Sequence, residues 1–169
     1  VDSETHWLKQ ESAFFHAAVP GWSDAHNDRI TGLGVEDLYD FLVREFDLAM
    51  GKVEFLGHCD ETARKVYNER VDCADGFLDL ARGLKHRGVR TAIASSAPAR
   101  WVRMVVDRFE LSPLLDTVVT ADDVWGKTKP LPDVYLEAAA RLSLPPGECL
   151  AIEDTAIGLL SAKRAGLRA

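Results

Sequence analysis

From Asp2 to about Val71 the apolar positions recur at helical spacing. Trp7, Leu8, Phe14, Phe15 and Ala18 mark a first helix that Pro20-Gly21 ends. Asp24 to Ile30 suits a short helix. Leu38, Phe41, Leu42, Phe46 and Ala49 form a second stripe that stops near Gly51. Ala63, Val66 and Tyr67 mark a third helix from about Asp60 to Arg70. No stretch here alternates as a half-buried strand does, so the pattern predicts a small helical bundle.

The pattern changes after Asp75. Phe77, Leu78, Leu80, Ala81 and Leu84 predict a helix closed by Gly88. Thr91-Ala92-Ile93-Ala94 is a short apolar strand that ends in Ser95-Ser96. Pro98 suits a first helical turn, and Trp101, Val102, Val105, Val106 and Phe109 line the helix it opens. Leu114 to Thr120 holds a second strand, and a loop from Ala121 to Pro132 leads to a helix from Asp133 to about Leu142. Pro145-Pro146-Gly147 then breaks the chain before Cys149-Leu150-Ala151-Ile152, which reads as a buried strand. Thr155 suits an N-cap, with Ile157, Leu160 and Ala165 running to a Gly166 stop. Strands that alternate with helices predict βαβ units on a parallel sheet. The expected fold is therefore α/β, a Rossmann-like parallel sheet core at residues 74–169, with an α-helical domain at residues 1–73.

Composition narrows the function. The 169 residues are 47% hydrophobic and 28% charged, which is globular. The net charge of −7 comes without a basic stripe, which argues against nucleic acid and anionic membrane as partners. Cys59, Cys73 and Cys149 are an odd, widely spaced set without C-x-x-C, as suits a reducing cytoplasm. No apolar run reaches spanning length and no signal peptide is visible. A cytoplasmic monomer is the expectation.

Candidate chemistry sits at strand ends, where open α/β sheets bind ligands. Glu153 and Asp154 follow the Ile152 strand directly. Adjacent carboxylates repel unless a cation lies between them, and Mg²⁺ takes one or two carboxylates together with phosphate oxygens; a solvated acidic turn at a helix start is the plainer alternative. Ser95, with Ser96, ends the first strand beside a helix start, where a hydroxyl and free N–H groups can hold phosphate oxygens; a serine there also serves as an ordinary N-cap. Lys129, in G-K-T-K-P-L-P-D, precedes two prolines that stiffen its loop, and Lys127 is its rival. A hydroxyl, an ammonium and an acid pair at successive strand ends suit phosphoryl transfer, which relies on electrostatic clamping.

These residues resemble the motifs of the haloacid dehalogenase superfamily, in its β-phosphoglucomutase-like branch with a helical cap. Ala94-Ser95-Ser96 is similar to the second motif, Lys129-Pro130-Leu131-Pro132-Asp133 to the third, and Glu153-Asp154-Thr155 with Gly158 and Ala165-Gly166 to the fourth. Val1-Asp2-Ser3-Glu4 looks like the residues that directly follow the first motif, D-x-D-G-(T/V)-L. The resemblance implies that the segment from Asp2 to Val71 is an inserted cap. It implies that Ser95 bonds the transferring phosphoryl group, that Lys129 neutralises it, and that Glu153 and Asp154 hold Mg²⁺. The family's nucleophilic aspartate, which forms an aspartyl-phosphate, and the aspartate two residues beyond it are in neither the Val1 stretch nor elsewhere in this chain. The expectation is that D-x-D-G lies just upstream of Val1. The family's corresponding strand lies between the Ser95 strand and the Ile152 strand, so two interior sheet edges are expected to lack a partner. The chain is also expected to stop at Arg168-Ala169 where a further strand would begin.

The implied function is a Mg²⁺-dependent phosphatase of a small phosphorylated metabolite. A sugar-phosphate mutase and a catalytically inactive, ligand-binding member are the alternatives. In the mutases a cap loop of the form G-x-S-R carries an arginine for the distal phosphate. Here Gly32-Leu33-Gly34-Val35 stands at that place, with valine at the arginine position, which weakens the mutase reading. Arg29, Arg64 and Lys65 could compensate. The five histidines show no ligand spacing, and Trp22 and Trp125 suit either packing or the rim of a substrate entrance.

Overall fold

The computed structural model describes residues 3–169; Val1 and Asp2, and with them the start of the first-motif resemblance, lie outside the described residues, as do the side chains of Glu4, Thr5, Leu8 and Lys9. The chain divides into two compact units, one ending at Asp72 and the other spanning Cys73–Ala169.

The first unit is helical. It holds α1 (Glu4–Ala18), α2 (Asn27–Ile30), α3 (Val35–Phe46) and α4 (Lys52–Lys65). α1 ends where Val19 turns extended and Gly21 takes a φ of 70°. α3 starts on Gly34, carries Glu36 and Asp37 against its N-terminal dipole, and closes on Asp47 in the left-handed region. α4 begins well before the Asp60 expected from the sequence. Phe55, Cys59, Thr62 and Ala63 form its buried stripe, but Val53 is 87% exposed and Gly57 and His58 dilute the signal. Its last turn widens over Val66–Arg70, where the Val71 N–H reaches back to the Val66 carbonyl. Phe15, Leu42, Phe55, Val66 and Val71 are almost fully buried. Burial of one such side chain contributes roughly 1.5–3 kcal/mol. Aromatic contacts join Phe15, Trp22 and Phe46, and Phe14 packs on Phe55.

The second unit alternates helix and strand: α5 (Phe77–His86), β1 (Ala92–Ala94), α6 (Ala99–Arg108), β2 (Thr117–Val119), α7 (Asp133–Arg141) and α8 (Ala156–Arg164). β1 and β2 are parallel, with Ile93 opposite Val118. Side chains alternate across them. Ala92, Ala94 and Val119 pack with Val134, Ala138 and Ala162 of α7 and α8. Ile93 and Val118 pack with Val102 and Val106 of α6 and Leu78 of α5. Helices thus cover both faces of a parallel sheet, the α/β arrangement that the sequence predicts.

The stretch from Cys149 to Ile152 departs from its expected burial. It pairs in parallel with the C-terminal residues through Leu150 and Arg168; the Ala151 N–H donates to the Arg168 carbonyl at 2.7 Å and the Arg168 N–H to the Cys149 carbonyl at 3.1 Å. Among the described residues no backbone bond joins it to β1, and the named sheet contains β1 and β2 alone. Leu150 is 69% and Ile152 80% exposed. The apolar run is strand-like, but among the described residues its one backbone pairing is with the C-terminal residues around Arg168. No helix among the described residues is long and apolar enough to cross a membrane.

Candidate active site

The candidate groups come from the carboxyl ends of β1 and of the Cys149–Ile152 stretch and from the loop that carries Lys129. The first comes from β1. The Ser95 N–H continues the ladder by donating to the Val119 carbonyl at 2.9 Å. Its Oγ accepts the Ala97 N–H at 3.1 Å, so the hydroxyl proton remains available to an acceptor. Both readings of Ser95, turn cap and phosphate donor, are therefore compatible in one side chain. Ser96 points its Oγ elsewhere: it accepts the backbone N–H of Lys129 at 3.2 Å. That bond ties the end of β1 to the loop that carries the ammonium.

The Lys129 loop is also held from α8. The Arg164 guanidinium donates to the Pro130 carbonyl at 2.9 Å, and the fully buried Ser161 hydroxyl donates to the Leu131 carbonyl. So fastened, Lys129 is 12% exposed and its ammonium is bonded to Glu153 Oε1. Lys127 is 65% exposed and stands 3.9 Å from Asp133. The structure therefore brings Lys129, rather than its rival, to the acid pair.

Glu153 is 7% exposed at its side chain. Its Oε1 accepts from Lys129 and from the Tyr135 hydroxyl, and its Oε2 faces the Thr155 hydroxyl at 3.4 Å. Thr155 caps α8 by accepting the Gly158 N–H at 3.1 Å. The carboxylate lies against Gly158: a Cβ there would overlap Glu153 Oε2 and Cδ. Burial first, and the bond to Glu153 second, push the Tyr135 hydroxyl far above the ordinary phenol range, so it stays a donor. Asp154 is exposed beside it, free of salt bridges among the described residues.

This donor set suits a hard divalent ion. It offers oxygen ligands only, an exposed carboxylate on Asp154 and a second oxygen on Glu153 that lacks a charged partner. Among the described residues no group of three His, Cys, Asp or Glu side chains converges on one point. An ion held here would take its further ligands from water, phosphate oxygens or another carboxylate.

In the helical unit, Gly32 takes a φ of 82° and the Leu33 N–H closes the turn on the Ile30 carbonyl at 3.0 Å. Gly32 and Leu33 are half-buried, whereas Gly34 and Val35 are buried at the start of α3. Tyr135, Ser161 and Arg164 are site residues that the sequence reading missed. A tyrosine on the buried face of α7 was the available signal, because a buried hydroxyl needs a partner.

Residues 5–166 match the haloacid dehalogenase-like hydrolase family, and the chain belongs to it. The chain is 40% identical over 101 residues to protein CbbY of Rhodobacter capsulatus, covering 59% of this chain and 44% of that protein. It is 26% identical over 166 residues to hexitol phosphatase B of Escherichia coli strain K12, covering 88% of this chain and 74% of that protein. The crystal structure of CbbY from Rhodobacter sphaeroides in complex with phosphate shares the fold, with a TM-score of 0.75 over 98% of this chain and 76% of that one at 23% identity. The chain spans less than half the length of the R. capsulatus relative. The fold is also shared by the crystal structure of a β-phosphoglucomutase from Clostridium difficile, with a TM-score of 0.79 over 98% of this chain and 76% of that one at 17% identity.

Proposed function

We propose that this chain forms the phosphate- and metal-binding side of a phosphatase for small phosphorylated metabolites. The observation that carries this reading is the Lys129–Glu153 pair, held nearly dry and tied through the Lys129 N–H to Ser96 at the end of β1. An ammonium fixed by its loop, a free hydroxyl proton and an exposed carboxylate supply what a phosphoryl group needs: neutralisation, a hydrogen bond and a metal ligand. Family membership and the relatives named phosphatases support the same class.

Ser95 donates its hydroxyl proton to a phosphoryl oxygen. Lys129 neutralises the charge that builds up on that group. Asp154, with Glu153, would hold Mg²⁺, which supplies further neutralisation of the phosphate. The aspartate that the family uses as nucleophile is not among the 169 residues. Its carboxylate attacks phosphorus and the alcohol leaves with a proton from the neighbouring acid. Water then cleaves the aspartyl-phosphate to release inorganic phosphate and restore the carboxylate. We place substrate selection at the Gly32–Val35 turn, where Leu33 is the partly exposed side chain.

Phosphate release by the native protein from a panel of sugar phosphates, nucleotides and phosphoglycolate tests this reading. Turnover of one or more small monoesters is expected. No turnover of any of them, under any metal condition, would support the ligand-binding alternative instead.

A further inference from the structure

Tyr135 belongs to none of the phosphate-binding or metal-binding roles above. It lies in the first turn of α7 and is 6% exposed. Its hydroxyl donates to Glu153 Oε1, the oxygen that also accepts from the Lys129 ammonium. Its ring stands 5.2 Å from that ammonium. Tyr135 therefore touches both members of the ion pair.

The pair is nearly dry, and a carboxylate removed from water must keep a partner. A phosphate that draws the ammonium to itself takes away Glu153's counter-ion. The Tyr135 hydroxyl is then the donor left on Oε1. We propose that Tyr135 is a positioning residue for phosphate binding: its hydroxyl holds Glu153 so that Lys129 can pass from Glu153 to the phosphate. This inference rests on the phosphatase reading and adds to it a residue that acts through Glu153 rather than by touching substrate. Without the hydroxyl, Lys129 stays committed to Glu153 and phosphate binds more weakly. Phenylalanine keeps the ring beneath the ammonium and isolates the hydroxyl.

The test is calorimetric titration of the native protein with inorganic phosphate in Mg²⁺-free buffer. It compares wild type, Tyr135→Phe, Glu153→Gln and the double variant, with circular dichroism to verify folding. Tyr135→Phe is expected to weaken phosphate binding roughly tenfold, the scale of one lost hydrogen bond to a charged group. In the Glu153→Gln background the same change is expected to have no effect, because Lys129 no longer leaves a buried charge behind. A tyrosine that only packs would cost the same in both backgrounds. Unchanged affinity in Tyr135→Phe, or an equal loss in both backgrounds, overturns the role of Tyr135 and leaves the phosphatase reading standing. If Tyr135→Phe does not fold, Glu153→Gln decides alone: phosphate must bind it more tightly than wild type, and equal or weaker binding overturns the proposal. Wild-type protein that neither binds phosphate nor hydrolyses a monoester overturns the phosphatase reading, and this inference with it.

Discussion

Gly158 and Glu153 are matched in shape: the carboxylate occupies the space in which any other residue at position 158 would place its Cβ. Glu153 thereby lies over the first turn of α8, whose N-terminal dipole favours negative charge. The glycine of the fourth motif thus has a steric reason.

Gly158→Ala should therefore expel the Glu153 carboxylate from its seat. Activity is expected to fall by roughly ten- to a hundredfold, as when a supporting contact to a metal ligand is lost. Alanine is favoured over glycine in a helix interior by up to about 1 kcal/mol, so α8 itself should not weaken. Steady-state kinetics with a thermal melt measures both. Unchanged activity would contradict the packing of Glu153 on α8.

Lys129→Ala should reduce kcat by roughly two orders of magnitude or more, the scale of a lost electrostatic stabiliser. Lys127→Ala should change it little, since Lys127 is solvated and 3.9 Å from Asp133. The two variants, assayed side by side on a small aryl phosphate, give this comparison. The opposite order would mean that the loop presents the other lysine.

Much of this was legible in the sequence because it depends on local pattern. The 3.6-residue period gave α3, α5 and α6, and the apolar pairs gave β1 and β2. Ser95 and the acid pair stood out because each directly follows an apolar run, and Lys129 because it precedes two prolines that stiffen its loop. What the pattern did not reveal depends on partners distant in sequence. Tyr135 reaches Glu153, and Ser161 and Arg164 reach the Lys129 loop, through contacts that no periodicity encodes. Ile152 was expected to be buried because it is apolar, yet it is 80% exposed, since burial depends on what packs over the strand and not on the residue alone. The early start of α4 was hidden by Gly57 and the exposed Val53.

Asp123 secures the turn after β2. Burial works against its charge, but the Thr120 hydroxyl, the Arg141 guanidinium and the Thr120 N–H outweigh it and hold its carboxyl below the usual 3.8. A carboxyl depressed in the folded state stabilises above its unfolded value and loses that contribution as pH falls through the folded one. Asp123→Asn should therefore lower the melting temperature at neutral pH by roughly 2–4 °C, the shift that about 1 kcal/mol produces in a domain of this size. The gap to wild type should shrink below pH 3.8. A gap independent of pH would show that the carboxylate charge does not matter to that turn.

The central claim is that Asp154 and Glu153 are metal ligands in a phosphate-processing site. The most direct measurement is phosphate release by the native protein from its best monoester, in EDTA and again after Mg²⁺ is restored, for wild type and Asp154→Asn. The account predicts that wild type loses activity in EDTA and regains it with Mg²⁺, while Asp154→Asn needs far more Mg²⁺ or is not rescued. Full wild-type activity in EDTA, or identical Mg²⁺ dependence in the two proteins, would contradict it.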